Sequence, residues 1–545
     1  MTPPATIRVL RSATKTVQTV DFETYVKVVM AAEWPYSWPI ESLRAGAVAV
    51  KQYAWYYTMH YRGGTGTGGC YDVSDSTTDQ LYKPETYTPA ASHIQAVEST
   101  WAESITKNGS FILTGYRSGS DVACGTDADG SHLYQASARR CALDGKTGEE
   151  ILHVYFDPGS WIQGLYPATT YVPLAPARLL DTRAGNGLSG TFLANTPRTF
   201  QVRGRGGVPE SAMAVTGNVT VTNPTASYAV YLGAVPLPNP TTSTVNFNAG
   251  AIVSNGLTVG LGAGGTLSAT FISLPGNTTD LVFDVTGYFV ADTSGATYHS
   301  LDPVRLLDTR AGNGLSGPLL ANAPATFQVT GRGGIPANAT AVSGNLTVVN
   351  STFSWAVYVG PDPTANPTSS TINFSQGEIR ANNLTVKLSS AGALSATYMS
   401  FAGNTTDLVF DVTGYYTADA TGDNYIPMVP ARVVDTRAAN GLPGKLAANV
   451  PGTFQVSGRV GVASNATGVT GNVTVVNSTY SWAVFVGPVA TANPSASTIN
   501  FNRGDVIANG VTVALGSGGT LSATYISEAG NTTDLVFDVT GYFAP

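Results

Sequence analysis

Charge is scarce in this chain. Of its 545 residues only 12% are Asp, Glu, Lys or Arg, and 28 basic residues face 35 acidic ones, for a net charge of −7. So little positive charge leaves no basic stripe for a phosphate backbone and no patch for anionic lipid, which argues against nucleic acid as the main partner. Long apolar runs are missing too, and no segment is suited to span a bilayer. The start, Met1-Thr-Pro-Pro-Ala-Thr6, lacks the basic region and apolar core of a signal peptide. Cysteine is limited to Cys70, Cys124 and Cys141, and an odd count leaves at least one outside any intramolecular pair. Cys124 and Cys141 are placed to close a short loop in an oxidising compartment, which stabilises by about 3 kcal/mol on the loop-entropy model. The other reading is three buried, inert thiols.

Turn formers are what the chain has in abundance: 60 Gly and 31 Pro, on a hydrophobic content of 43% that suffices for packed cores. Its length calls for several domains. Asp-Thr-Arg occurs at 181–183, 308–310 and 435–437, an interval of 127 residues each time. Asn218, Asn345 and Asn472 keep that interval, as do Asp284, Asp411 and Asp538 in Asp-Val-Thr-Gly-Tyr. Three landmarks in one register, without insertions, mark tandem modules. Within them, segments such as Ser370-Thr-Ile-Asn-Phe374 and Asp407-Leu-Val-Phe-Asp-Val412 are rich in β-branched and aromatic residues, with Gly, Pro and Asn clusters between. We expect roughly eight strands per module in a jelly-roll-like sandwich. The reading is therefore multidomain: an α+β domain over 1–168, then all-β sandwich modules over 169–292, 296–419 and 423–545. Short linkers are expected near 290–297 and 417–424.

The first 168 residues read differently. Asp21 caps a helix with Phe22, Tyr25, Val26 and Val29 on its apolar face. Pro39 opens a second helix at its first position, through Leu43, Ala47, Val50 and Ala54. A third is predicted over Ser92–Ile105, strand-like Phe111-Ile-Leu-Thr114 follows, and a short helix over Glu149–Val154 closes the domain. The blocks Asp21-Phe-Glu-Thr-Tyr-Val-Lys-Val-Val-Met-Ala-Ala-Glu33, Trp38 to Ala54, and Tyr71-Asp-Val-Ser-Asp-Ser-Thr-Thr-Asp-Gln-Leu-Tyr82 stand in an order that resembles the stage II sporulation protein D / LytB family. A weaker match continues through Gln135-Ala-Ser-Ala138 and Glu150-Ile-Leu-His-Val-Tyr155.

The resemblance implies a peptidoglycan lytic transglycosylase, or a non-catalytic relative that enhances a wall amidase. It puts the family's catalytic glutamate at Glu33. One carboxyl group suffices for that reaction: it protonates the leaving oxygen, then helps the sugar's own 6-hydroxyl attack, so the second carboxylate of ordinary glycosidases is dispensable. Such an acid works best among apolar neighbours, here Ala31, Ala32 and Trp34, and at a helix C-terminus. The other reading of Glu33 is a surface carboxylate at a helix end. Further substrate-binding candidates are Gln80, at a cleft-lining position of the family, and Trp34 and Tyr82 as sugar-stacking rings, with a turn-stabilising amide and core aromatics as the alternatives. Lys51 stands where the family usually has Arg, keeping the charge and losing the bidentate fork. Ser118, in Tyr116-Arg-Ser-Gly-Ser120, matches a Ser/Gly-rich strand end near the cleft. The chain departs from the family around Asp129: aligned on Gln135, Asp129 takes the place of a His, with His132 as a partial substitute. Cys124, His132 and Cys141 also make a weak zinc reading, without the tight pairs structural zinc needs.

The repeats hold no catalytic constellation. Arg183, Arg310 and Arg437 are candidates for structural Asp–Arg pairs. Asn277, Asn404 and Asn531 are read as turn residues. Tyr228, Trp355 and Trp482 are either core rings or an exposed sugar platform. No cofactor is called for. The expected partner is the glycan strand of peptidoglycan, with a wall amidase or self-assembly through the β modules as further possibilities, and the expected location is extracellular, at the cell wall. A structural component of an extracellular assembly is the remaining alternative.

Overall fold

The computed structural model describes residues 3–61, 64–101, 103–107, 110–146, 148–157, 162–163 and 168–545. Contacts divide the chain into two units, Met1–Pro167 and Ala168–Pro545. None of the described helices is long and apolar enough to cross a membrane.

The first unit is α+β. Strands Thr6–Arg11 and Thr16–Asp21 form an antiparallel hairpin, and Val73–Ser74 adds in parallel. Helix α1 (Phe22–Glu33) follows at once, capped by the Asp21 carboxylate, which accepts from the Thr24 N–H at 2.8 Å. Helix α2 (Ile40–Met59) is the centre of the unit. Its Leu43, Ala47, Val48, Val50 and Ala54 are buried, as expected of a helix packed on several sides. Pro39 sits one residue before α2, at its cap, with the Ser42 and Leu43 N–H groups on its carbonyl. Helix α3 (Ala91–Ser99) is shorter than the predicted Ser92–Ile105: it ends where the Thr100 hydroxyl turns back onto the Ala96 carbonyl. Residue 102 of that prediction lies outside the described residues. Helix α4 (Gln135–Leu143) was not anticipated, and α5 (Gly148–Phe156) runs slightly beyond the predicted bounds. A Cys124–Cys141 disulfide ties α4 to the preceding loop, and Cys70 is free and half-buried. That bond withdraws both thiols from the zinc reading.

Each module of the second unit is a jelly roll. In the first copy, one sheet has the order Thr170–Asp181, Thr278–Val290, Ala212–Thr222, Val253–Gly260. The other has the order Arg198–Gln201, Thr266–Ile272, Tyr228–Gly233, Val245–Phe247. These eight strands are divided between the two sheets in jelly-roll order, and a two-residue strand, Phe192–Leu193, pairs with the start of Thr278–Val290. The second and third copies repeat the order.

The outer sheet shows the usual alternation, Arg198–Gln201 being buried at Phe200 and exposed at Thr199 and Gln201. The other sheet does not alternate. Val215, Val219 and Val221 enter the module core, yet Thr216, Asn218 and Thr220 on the opposite face are buried as well. The reason is that the three modules close on one another in a ring. Tyr171 exchanges backbone hydrogen bonds with Ala296, Tyr298 with Asp423, and Tyr425 with Thr169. The amide of Asn382 donates to Asn218 at 3.0 Å, that of Asn509 to Asn345 at 2.9 Å, and that of Asn255 to Asn472 at 2.8 Å. Each donor residue also accepts from the backbone of the same neighbouring module: Gly256, Asn383 and Gly510 donate to Asn382, Asn509 and Asn255. A methyl group at Gly256 would overlap the Asn383 carbonyl, so the close approach there requires glycine.

An apolar cluster fills the ring at the strand ends. Tyr171 packs on Tyr416 with ring centroids 4.4 Å apart, Tyr298 on Phe543 at 4.1 Å and Tyr425 on Phe289 at 4.4 Å. Each such pair contributes about 0.5–1.5 kcal/mol beyond the area it buries. The repeated Asp-Val-Thr-Gly-Tyr motif thereby has an explanation. Its Gly287, Gly414 and Gly541 leave room for the rings of Tyr171, Tyr298 and Tyr425. Its Asp284, Asp411 and Asp538 take bidentate bonds from Arg178, Arg305 and Arg432. Those arginines were not singled out in the sequence, although they recur at the same interval. The expected pairs also form, Arg183, Arg310 and Arg437 each gripping the Asp two residues before. The stretches expected as linkers are therefore packed connectors, Ala296 and Asp423 being members of the ring. Asn277 holds a turn, its amide nitrogen on the Leu274 carbonyl at 3.0 Å.

Replacing Asn255 by Ala leaves the Asn472 amide oxygen without its donor and the Gly510 N–H without its acceptor. We expect the β unit to lose about 1–3 kcal/mol, read as a lower denaturant midpoint in the full chain. An unchanged midpoint would show that the asparagine ring adds nothing to stability.

Candidate functional site

Glu33 is the last residue of α1, half-buried, with Trp34 at the C-cap. Two side chains from distant segments satisfy the carbonyls at this helix end. Gln135 donates its amide to the Glu33 carbonyl at 3.0 Å, and His93 donates Nε2–H to the Trp34 carbonyl at 2.8 Å. The His93 tautomer follows from its other nitrogen, Nδ1, which accepts from the Ala90 N–H at 3.2 Å. Burial lowers the His93 pKa, which favours this neutral form. The Glu33 carboxylate accepts one directed bond, from the Leu81 N–H at 2.9 Å.

Gln80 sets up that bond. It is fully buried, accepts from the Tyr25 hydroxyl at 3.0 Å and donates to the Val50 carbonyl at 3.0 Å. With its side chain locked between α1 and α2, the N–H of the next residue is aimed at Glu33. Gln80, expected to line the cleft, is thus buried framework between α1 and α2. Tyr116 completes the wall. Burial, and then the nearby Glu33, push its phenol well above the usual range, which keeps it a neutral hydroxyl beside the acid.

Three other candidates are also framework rather than cleft. Trp34 is 1% exposed and its indole lies on Gly46 of α2, where a Cβ would come within 2.7 Å of the ring. Tyr82 is 3% exposed and stacks on Tyr25 at 5.0 Å. Lys51 is buried and donates to the Thr100 and Trp101 carbonyls beyond the end of α3, a favourable place for a cation. Burial lowers the Lys51 pKa and raises that of buried Glu103 nearby, and the two charges oppose those shifts in each other. The aromatic rings that follow the acid and meet solvent are Tyr36, 67% exposed, and half-buried Trp38. Neither was singled out in the sequence, although both lie in the Trp34–Trp38 loop.

Ser118 is exposed just past strand Gly115–Arg117, and its carbonyl accepts from the Ala136 N–H at 2.9 Å. His132 begins strand His132–Tyr134, which runs parallel to Gly115–Arg117 and pairs Tyr116 with Leu133. The ring of His132 covers Gly115, and its Nδ1 meets Asp129 at 2.8 Å. Asp129 is the hub of this turn, accepting from the Ser131 and His132 N–H groups, both at 2.8 Å, and from the Tyr134 hydroxyl at 3.1 Å. The departure at this position thus builds an internally bonded turn next to the Tyr116 strand. No group of three or more metal-ligating side chains occurs among the described residues.

Residues 11–106 match the family model described as stage II sporulation protein, a family associated at a coarse level with lytic action on the cell wall. The match contains Glu33 and Gln80. No curated protein matches the chain. Solved structures with some similarity include the triple jelly roll fold and turret assembly of an archaeal virus, at 9% identity over 69% of this chain and 91% of that one, with a TM-score of 0.15. The Sulfolobus turreted icosahedral virus structure follows at 10% identity, 69% and 90% coverage and a TM-score of 0.14. TM-scores this low do not equate the folds.

Burial pushes the Asp129 carboxyl upward, but bonds from the Ser131 N–H and from His132 outweigh it and hold the group well below the usual range. A depressed carboxyl contributes stability that is complete above its unfolded pKa of about 3.9 and is lost as pH falls through the folded value. We expect acid unfolding of the wild type to steepen below about pH 4, and Asp129→Asn to lessen that steepening. Equal slopes for the two proteins would contradict this role.

Proposed function

We propose that the first unit is a lytic transglycosylase of peptidoglycan glycan strands, with Glu33 as its single acid and base. In its protonated form Glu33 gives its proton to the glycosidic oxygen as the bond from the muramic anomeric carbon breaks. The resulting carboxylate then takes the proton of the same sugar's 6-hydroxyl, whose oxygen closes on the anomeric carbon. The product is a 1,6-anhydro ring, no water is consumed, and Glu33 ends protonated. The Leu81 N–H fixes the carboxyl group in place through both steps, and Tyr116 is its neutral neighbour. Tyr36 and Trp38 are the rings offered to a sugar face.

The observation that carries this reading is the Leu81–Glu33 hydrogen bond at the C-terminus of α1, inside the stretch that matches the sporulation protein model. A role outside the cytoplasm, at the wall, goes with that substrate, and the Cys124–Cys141 disulfide is consistent with an oxidising compartment.

A binding-only protein is the second reading, and the burial of Gln80, Trp34, Tyr82 and Lys51 favours it by leaving fewer groups for the sugar. The test is digestion of purified glycan strands, with and without stem peptides, by wild type and Glu33→Gln. We expect the wild type to generate 1,6-anhydro-muramic ends by mass spectrometry, and the variant to be about 10²–10⁴-fold slower, the usual contribution of a positioned acid. Strands that are retained but uncut by both proteins would assign the unit to wall recognition or amidase enhancement.

A further inference from the structure

Tyr228, Trp355 and Trp482 occupy one position of the repeat, and all three meet solvent: 63%, 53% and 62% exposed. The core reading is thereby overturned. Each begins the same strand and pairs in the same register with a Phe, namely Phe247, Phe374 and Phe501. Isolated exposed rings are ordinary on protein surfaces. Tyr228 differs because the ring closure places it at a groove between two modules, and Trp355 and Trp482 hold the corresponding position of the repeat.

The groove between the first and third modules has a volume of about 430 Å³, within the range of small-molecule sites. Tyr228, Phe247 and Asn248 form one wall, and Arg437, Asn477 and Thr474 the other. Arg437 is half-exposed and grips Asp435 through Nε at 2.8 Å and Nη2 at 2.7 Å, so its guanidinium is held flat. Asn477 gives its amide nitrogen to Asp534 at 2.9 Å. The buried Thr474 hydroxyl has no hydrogen-bond partner, and neither has its counterpart Thr220. The groove is bridged at its floor by Arg432, whose Nη2 donates to the Thr241 carbonyl at 2.7 Å.

An asparagine bridge recurs at all three junctions of the ring. Asn472 donates to the Ser243 carbonyl, Asn218 to Ser370 and Asn345 to Ser497, at 2.7, 2.8 and 2.7 Å. Arg305 bridges to the Ser495 carbonyl at 3.0 Å, as Arg432 does to Thr241. By the 127-residue repeat, the counterparts of Tyr228 and Arg437 at the other two junctions are Trp355 with Arg183 and Trp482 with Arg310.

An exposed ring facing a fixed planar cation and an asparagine, across a groove of this size, is suited to one chemistry. The C–H face of a pyranose lies on the aromatic ring, while hydroxyl and N-acetyl oxygens accept from the guanidinium and the ring hydroxyls donate to the asparagine. We propose that the three inter-module grooves are equivalent binding sites for a pyranose of an N-acetylated glycan, with Tyr228, Trp355 and Trp482 as their platforms. The sites lie outside the first unit and act independently of whether Glu33 cuts. Three weak sites on one rigid ring give avidity for a polymer without high affinity at any one of them.

The test uses the full chain carrying Glu33→Gln, so that binding is separated from cleavage. Titrated by calorimetry with chitotetraose, this protein is expected to bind at three sites that the triple variant Tyr228→Ala/Trp355→Ala/Trp482→Ala lacks; a single site retained by the triple variant belongs to the first unit. Retention on isolated glycan strands is expected to weaken by about tenfold or more in the triple variant, as loss of avidity predicts. If the triple variant fails to fold, the three single variants are read instead, each losing one site. Unaltered stoichiometry in the variants, or no binding by the parent protein beyond one site, overturns the proposal, and either result leaves the Glu33 reading to be judged by its own digestion experiment.

Discussion

Closure of the ring is the constraint on which the second unit depends. Each jelly roll carries a sheet whose outer face is lined with Thr, Ser and Asn and yet lies buried. Alone, such a face would want water. In the ring its asparagines find partners in the neighbouring copies, and the last contact, from Asn255 to Asn472, joins the first copy to the third. The aromatic cluster at the strand ends supplies the apolar attraction, and the asparagines fix the angle, because a buried amide tolerates little misplacement. The grooves and their rings follow from that angle.

Much of this architecture is legible in the sequence, for reasons that can be named. A 127-residue interval without insertions reports whole modules, since an insertion would displace every later landmark. Asp21 reports the start of α1 because its carboxylate has an N–H group to accept from wherever a helix begins after it. The ring is not legible. Asn218, Asn255 and Gly256 have the composition of a turn, and nothing local says that they meet copies more than a hundred residues away. The same limit applied to Gln80, Trp34, Tyr82 and Lys51. Their types suit a sugar cleft, but type does not reveal direction, and each points into the framework. Tyr228, Trp355 and Trp482 erred the other way: large rings in strands suggest core, while their position at the start of a strand puts them outside.

The candidate acid illustrates how a site is built from residues that never touch the substrate. Gln135 and His93 finish the end of α1, Gln80 locks the turn that carries Leu81, and Gly46 admits the Trp34 indole behind the acid. None of these groups needs to be reactive. Together they hold one carboxyl group at the end of a helix, within reach of the Leu81 N–H.

Three copies joined in one chain behave differently from three chains in a trimer. A trimer falls apart on dilution, since its assembly is paid for in concentration. Here the neighbours are tethered and reassociate at a rate that dilution does not alter. Tethering also frees the copies from identity. In a trimer of identical chains every substitution appears three times, whereas this chain carries Tyr at one platform and Trp at the other two. Each groove is therefore a separate heritable unit, able to change its preference while the other two keep theirs.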